Sequence, residues 1–435
     1  MTLDFRHASL IEGVRFTAQV GVPNVVLGLF KRRPLPSRVA ATAHSDFFAY
    51  HLVQGMVRKY GPDPFYVRVA RDEALLVHHP DDIEIVLGGS PDPFASDPEP
   101  KRKGMAAFQP DALTISRGDL WANRRAFAEA VLSAGLQRQA ESFLAVAEDE
   151  AGRLAAAGTV GWDEFNRGFQ RLTRRVVFGE AAADDEAVTA ELGELMSAGN
   201  KMPGSAPDGY RPFLDRIQHY VDAAEPGSLC ALVPDAPSSA ETEVAGQLVH
   251  WLFAMGDTLA ANVFRTLAVL GTHPLQLAEV RAELRGADLS SPKSVADLDF
   301  LAGCLLDTMR LWPTTPMFAR VTTRDVRFPT GAVVPAGTQV LIHNVFNHRN
   351  RDRLAYADRF APEEWVSGSA GHDWGFNFFS HGPQGCPGAD LAIFLGQAVL
   401  ARLVEQRTPE VHGTDLRPGS SLPHSLDVFG LSLGL

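Results

Sequence analysis

Two groups of residues have types and spacing suited to chemistry: a lone cysteine in a broken loop, and an acid–alcohol pair inside an apolar helix. Cys386 sits in "FFSHGPQGCPGADLA" (Phe378 to Ala392), interrupted by Gly and Pro just before a run that reads as helix. A thiolate is a strong ligand for a soft or borderline metal when its charge is stabilised. The N-terminus of a helix does that through its dipole and unpaired N–H groups. The segment "PGADLAIFLGQAVLARLVEQ" supplies such a helix, with Pro387 suited to its first position and Leu391, Phe394, Leu395, Val399, Leu400 and Leu403 forming an apolar face. Gly382, Gly385 and Gly388 free the loop from Cβ clashes, so backbone could lie against something flat. Phe379 stands where it could pack beside the sulfur. Taken alone, the loop suits a metal ligand or a buried, inert thiol, the usual fate of a lone cysteine.

The acid–alcohol pair is Asp257 and Thr258 in "FAMGDTLAAN". It lies midway along the longest helical pattern, Glu241 to Gly271, where Leu248, Leu252, Leu259, Val263, Leu267 and Leu270 recur at helical steps. At ~1.5 Å per residue this helix runs roughly 45 Å, enough to cross a whole domain. A polar pair inside an apolar stripe needs partners or a purpose, although alone Asp257 reads as a solvated carboxylate. Two further pairs share helix faces: Trp121 with Arg125 in "LWANRRAFAEAVL", and Asp307 with Arg310 in "LLDTMRLW".

The elements that must position these groups are mostly helices. "THPLQLAEVRAELRG" predicts a helix with Thr272 as N-cap and Gly286 as C-cap. The clearest strands lie between Arg320 and His343, where "VVPAGTQVLIHN" predicts a hairpin around Pro335 to Gly337. The fold class is mainly α with a small β region, in one large unit. A composition of 45% hydrophobic and 21% charged residues fits a soluble protein with a large core. Net charge is −12, with Lys and Arg scattered rather than striped, which argues against a nucleic-acid partner. Cys230, Cys304 and Cys386 are too few and too far apart for a disulfide framework or a CxxC metal site, so a cytoplasmic location is expected. The apolar run Phe16 to Phe30 is shorter than a membrane span and contains Pro23. Residues 1–35 are expected to pack as an N-terminal segment on a single domain covering 36–435.

The spacing Phe379-x-x-Gly382-x-x-x-Cys386-x-Gly388 resembles the haem-binding signature of the cytochrome P-450 superfamily, in which the cysteine is the axial thiolate of the haem iron. Other segments fall in the family's order over almost the entire chain. Trp121 and Arg125 match a W-x-x-x-R helix whose side chains meet a haem propionate, and Arg320 falls where another propionate-binding Arg often stands. Ala254, Asp257 and Thr258 match the oxygen-activation motif A-G-x-D/E-T, with Met255 in place of the usual Gly. Arg310 matches the E-x-x-R helix, with Asp307 in place of Glu. "FAPEEW" resembles the P-E-R-F segment, with Glu364 where an Arg of the buried Glu-Arg-Arg cluster belongs, so Arg310 is expected to bridge two acids. Gln384 replaces a propionate-binding Arg or His, which leaves that charge to Arg125, Arg320 and His381.

The resemblance implies a triangular, mainly helical single domain with haem b (iron protoporphyrin IX) between the long central helix and the helix after Cys386. It implies a monooxygenase in which the Cys386 thiolate favours O–O cleavage and Asp257 and Thr258 deliver protons to oxygen from O2. With no fused reductase expected, electrons would come from a ferredoxin and its NAD(P)H-dependent reductase, as in soluble bacterial systems. Segments that line the family's substrate pocket offer Phe108, Phe253, Ala254, Met255, Met317, Phe318 and Phe429, an apolar set that favours a lipophilic or aromatic substrate. A peroxide-driven enzyme of the same fold would usually lack the acid–alcohol pair. A haem sensor would need the thiolate but not the pair.

Overall fold

Helices dominate the computed structural model, which describes residues 4–418 and 421–435. The long apolar pattern forms one continuous central helix over 244–272. Its parts are α-helical Val244–Phe253, a π-helical segment Ala254–Leu259 and α-helical Ala260–Thr272. Leu248, Leu252, Leu259, Val263, Leu267 and Leu270 are all buried in the main apolar cluster, as their periodicity requires. The helix starts at Val244 rather than Glu241, because Glu243 takes a left-handed backbone (φ 53°) after the 3-10 turn Ala240–Thr242. The helix after Cys386, Ala389–Val404, packs across its middle. At Gly396 a Cβ would lie 2.5 Å from Leu305 and 3.7 Å from Leu259, so glycine lets three helices approach here.

The helix Pro274–Arg285 follows, with Gly286 after it, but its N-cap is His273. The Thr272 hydroxyl instead donates back to the Ala268 and Val269 carbonyls of the preceding turn.

The main sheet is formed by β1 (Arg6–His7), β2 (Phe65–Val69), β3 (Asp72–Val77), β4 (Phe94–Ala95), β5 (Met317–Thr322) and β6 (Gln339–His343). Its spatial order is β1-β2-β3-β6-β5-β4. The hairpin expected around Pro335 to Gly337 does not form. Val333–Val334 pairs with Val326–Arg327, whereas β6 pairs antiparallel with β5 and parallel with β3. Burial explains the difference. Val340, Leu341 and Ile342 are each no more than 2% exposed, and the middle of a larger sheet covers such a strand on both faces where a lone hairpin cannot. On β5, Phe318 packs into the apolar cluster around Phe94, while Met317 and Ala319 pack into the opposite one around Tyr50.

The amino-terminal apolar run is split. Phe16 and Val20 are buried and β1 joins the sheet, whereas Val22, Val25, Val26 and Leu29 face outward. Among the described residues no helix is long and apolar enough to cross a membrane.

Candidate active site

The cysteine loop is wound by its own backbone. Cys386 N–H donates to Phe379 O (2.8 Å), Gly385 N–H to Gly382 O (2.9 Å) and Ser380 N–H to Asn377 O (2.7 Å). Gly382 holds φ +65°, and a Cβ there would lie 2.6 Å from Leu87 O, so this position admits only glycine. Gly388 is the N-cap of the helix that follows. Desolvation raises the Cys386 pKa, while the Gly388 N–H and the nearby Arg125 charge act to lower it. Cys386 is nevertheless accessible, unlike the buried Cys230 and Cys304. Accessibility combined with desolvation is expected of a side chain on an inner protein surface. Burial pushes the Cys230 thiol up to about 12 and that of Cys304 well above its ordinary value, so neither is prepared as a thiolate.

Across from this helix, the π-helical segment holds the acid–alcohol pair. Ala254 and Thr258, one turn apart, are partly accessible inside an otherwise buried helix. Asp257 points to another side, where Asn166 (3.2 Å) and Gln170 (2.9 Å) donate to Oδ1 and Lys31 Nζ lies 3.4 Å from Oδ2. Asn166 also donates to Gly256 O (2.7 Å), supporting the widened π turn. A Cβ at Gly256 would lie 2.6 Å from Gln170, so the glycine lets that side chain reach Asp257. The Thr258 hydroxyl has no hydrogen-bond partner among the described residues. Met255 is only 6% exposed and packs in the main cluster.

Cations gather beside the cysteine loop. Arg125 Nη1 donates to Gly385 O, and its Nε donates to Glu129 (2.6 Å). Arg320, 4% exposed, reaches Ser90 Oγ (3.1 Å) and Ser380 Oγ (3.5 Å), and desolvation lowers it to about 10. Lys101 donates to Ser96 O and Thr114 O (2.9 Å each). Desolvation, then the Arg320 charge, lowers it to about 7, with Asp97 opposing. Among the described residues no carboxylate pairs with either cation.

A cytochrome P450 family model matches residues 235–426, which contain the acid–alcohol pair, the Asp307–Arg310 helix and the cysteine loop. Over these residues the chain is similar to the cytochrome P450 superfamily. It is 30% identical to cytochrome P450 4c3 of Drosophila melanogaster over 249 residues, covering 54% of this chain but only 44% of that protein. It is 31% identical to cytochrome P450 monooxygenase milC of Cordyceps militaris over 175 residues, 37% of this chain and 33% of that protein. These two alignments thus span less than half of each relative. Cytochrome P450 monooxygenase cpaH of Aspergillus oryzae aligns at 24% identity over 94% of this chain and 88% of its own length.

Similarity to the P450 family implies haem, and the residues present fit it. A porphyrin with two carboxylates would answer two cations that no carboxylate pairs among the described residues, the buried Arg320 and the half-buried Lys101, with Arg125 close by at Gly385. Lys101 was not apparent in the sequence, where it is one of several Lys and Arg in "PEPKRKGM"; only its burial marks it. His381 is a poor carrier of charge. Desolvation lowers its pKa, its Nε2 lies 2.9 Å from Phe376 O, and its ring sits tilted against Trp374. Trp121 is half-buried on the Arg125 helix, and its indole N–H has no partner among the described residues.

The Asp307–Arg310 pair is fully buried, and Arg310 binds Asp307 twice (2.5 and 3.1 Å). It does not bridge to Glu364, whose carboxylate lies by Ser369 (3.4 Å). Backbone carbonyls of His348, Ala357 and Arg359 complete the guanidinium instead. Asp307 also accepts from Ala361 N–H (2.7 Å) and Trp365 Nε1 (3.0 Å). His348 links the pair to the cysteine loop: its Nδ1–H donates to Arg310 O, and its Nε2 accepts Asn377 N–H, 3.2 Å each.

Of the expected substrate residues, Phe253 is half-buried and meets the fully buried Phe108 edge-on (6.1 Å), which in turn meets Phe30 (5.3 Å). Phe429 packs on Trp162 (6.1 Å), away from these rings. Phe318 stacks under Arg320 (5.5 Å), and the alternation of β5 sends Met317 to the opposite face.

Proposed function

We propose that the protein is a haem-thiolate monooxygenase that inserts one oxygen atom of O2 into a lipophilic or aromatic small molecule, with electrons from a separate ferredoxin and its reductase. The observation that carries this reading is Cys386: the accessible one of three cysteines, held by the Gly388 N–H at the start of a helix that packs on the one bearing an acid–alcohol pair. Haem b, when bound, supplies reductive activation of O2. Cys386 Sγ is its ligand, and Arg125, Arg320 and Lys101 hold its carboxylates. Phe253 and Ala254 shape the apolar side on which substrate lies. Asp257, 23% exposed and fixed by Asn166, Gln170 and Lys31, takes protons from outside. Thr258 Oγ1, with no hydrogen-bond partner among the described residues, passes them inward.

The test has two parts. Reduced protein under carbon monoxide should show the red-shifted Soret band of thiolate-ligated haem, and Cys386→Ala should lose it. Thr258→Ala should keep the band and bind substrate, yet divert reducing equivalents from product to hydrogen peroxide. A band that survives Cys386→Ala, or unchanged coupling in Thr258→Ala, contradicts the proposal.

A further inference from the structure

Building on the activity proposed above, we infer that Asn200 is a positioning residue for both halves of the site. It clamps the segment 28–33 so that Phe30 braces the aromatic wall and Lys31 holds Asp257. The segment needs such a clamp because it has no helix or strand of its own. Gly28 ends the helix Val22–Leu27 with φ +96°, and the next helix starts at Pro34. Asn200, 6% exposed, follows the helix Glu186–Gly199 and supplies what a neighbouring strand would. Its Oδ1 accepts Phe30 N–H (2.9 Å) and Lys31 N–H (3.4 Å), and its Nδ2 donates to Lys31 O (2.8 Å). The task needs a short side chain that accepts and donates at once, which asparagine is; an ionised aspartate only accepts. At Gly28 a Cβ would lie 2.1 Å from Lys31 O and 3.0 Å from Asn200 Nδ2, so glycine makes room for this closure.

The clamped backbone carries two side chains with different tasks. Phe30 enters a slot cut by two glycines: a Cβ at Gly104 would lie 2.1 Å from its ring, and a Cβ at Gly199 would lie 2.8 Å from Gly104 O. There it meets Phe108 (5.3 Å), which in turn meets Phe253 (6.1 Å) beside Ala254. Phe108 is fully buried, and a close-packed interior passes a displacement on rather than absorbing it. Moving Phe30 therefore moves the wall. Lys31 lies across Gly193, where a Cβ would be 3.7 Å from Nζ, and reaches Asp257 Oδ2 at 3.4 Å. A partly exposed ion pair of this kind is weak, because ordering a long side chain offsets most of the attraction. Holding the Lys31 backbone removes part of that cost. Asn200 bonds both N–H groups and the Lys31 carbonyl, so releasing it frees both side chains together.

The experiment compares the full-length protein with Asn200→Leu, Asn200→Asp, Phe30→Leu and Lys31→Met. Hydrogen–deuterium exchange over residues 28–33 and equilibrium dialysis of naphthalene need no turnover, while the share of peroxide over product reads Asp257. Asn200→Leu should raise exchange in 28–33 at least about tenfold, since three hydrogen bonds are lost. It should also weaken naphthalene binding about threefold or more and raise the peroxide share about twofold or more. Phe30→Leu should move only the naphthalene affinity, and Lys31→Met only the peroxide share. Asn200→Asp keeps both acceptors and should fall between wild type and Asn200→Leu; it decides the matter if the leucine variant does not fold. Wild-type exchange in a folded Asn200 variant overturns the proposal, as does a leucine variant that shifts only one of the other two readouts. A wild type with neither turnover nor the thiolate band would sink the activity alone. The clamp is then supported if Asn200→Leu loses exchange protection and naphthalene affinity, and overturned if it keeps them.

Discussion

Replacing Asp307 by Ala should cripple folding, and the contacts set the size of the effect. Asp307 and Arg310 are each fully buried. The substitution removes both Arg310 bonds and the acceptor for Ala361 N–H and Trp365 Nε1. Stranding a buried charge costs about 3–5 kcal/mol, and a buried neutral donor left unmade costs about 1–3 kcal/mol. The carbonyls of His348, Ala357 and Arg359 still hold the guanidinium, so the total should fall near the lower end, about 5 kcal/mol. That is a large share of a typical stability of about 5–15 kcal/mol. The loss should also reach the cysteine loop, because His348 joins Arg310 to Asn377. Urea unfolding monitored by circular dichroism, with haem content measured in parallel, tests both claims. Asp307→Asn should lose less, since its carbonyl keeps one acceptor without stranding all four donors. A loss below about 1 kcal/mol in Asp307→Ala with normal haem content would refute the reasoning, since that is the scale of a surface change.

Three further outcomes follow from the same structure. Met255→Ala should cost about 2–5 kcal/mol as a core truncation and leave affinities across a lipophilic ligand series unchanged; a widened pocket would show in ligand titration. Lys31→Met should raise the share of peroxide over product because the Asp257 carboxylate loses its cationic neighbour, while Lys31→Arg should restore coupling; equal product yields in all three proteins would free Asp257 from Lys31. Desolvation, reinforced by the Arg310 charge, lowers His348 to about 3 from its ordinary 6.5. Its unfolded form therefore binds a proton that the folded form excludes, and stability should fall as pH drops from about 6.5 toward about 3. In thermal melts His348→Gln should lose this part of the acid dependence, and a parallel pH curve would contradict it.

The fold class and the principal site were legible because each rested on a local pattern. The central helix repeats leucines at helical steps, and the glycines around Cys386 mark a loop that only permissive backbone could form. Gly382 shows this plainly, since its φ and the nearness of Leu87 O exclude any Cβ. Strand pairing was less legible, because β6 finds partners on β3 and β5, far away in sequence. Lys101 was invisible for a related reason: nothing local distinguishes a half-buried lysine from its exposed neighbours Arg102 and Lys103.

The departures from the family's motifs resolve in one physical way. Where a side chain is missing, a group from elsewhere with the same hydrogen-bonding character takes its place. Glu364 cannot stand in for a cation near Asp307, and it turns outward to Ser369, while the neutral Trp365 indole and the Ala361 N–H donate to the carboxylate. Met255 fills the place of a glycine, and the next residue, Gly256, provides the close approach that Gln170 needs to reach Asp257. Gln384 brings no charge, and the positively charged end of Lys101 lies near Arg320 instead. Each substitution keeps the donor or the space and changes only which residue supplies it. Motif letters and contacts therefore differ in which residue fills a given place, because buried chemistry constrains hydrogen bonds and volume rather than residue names.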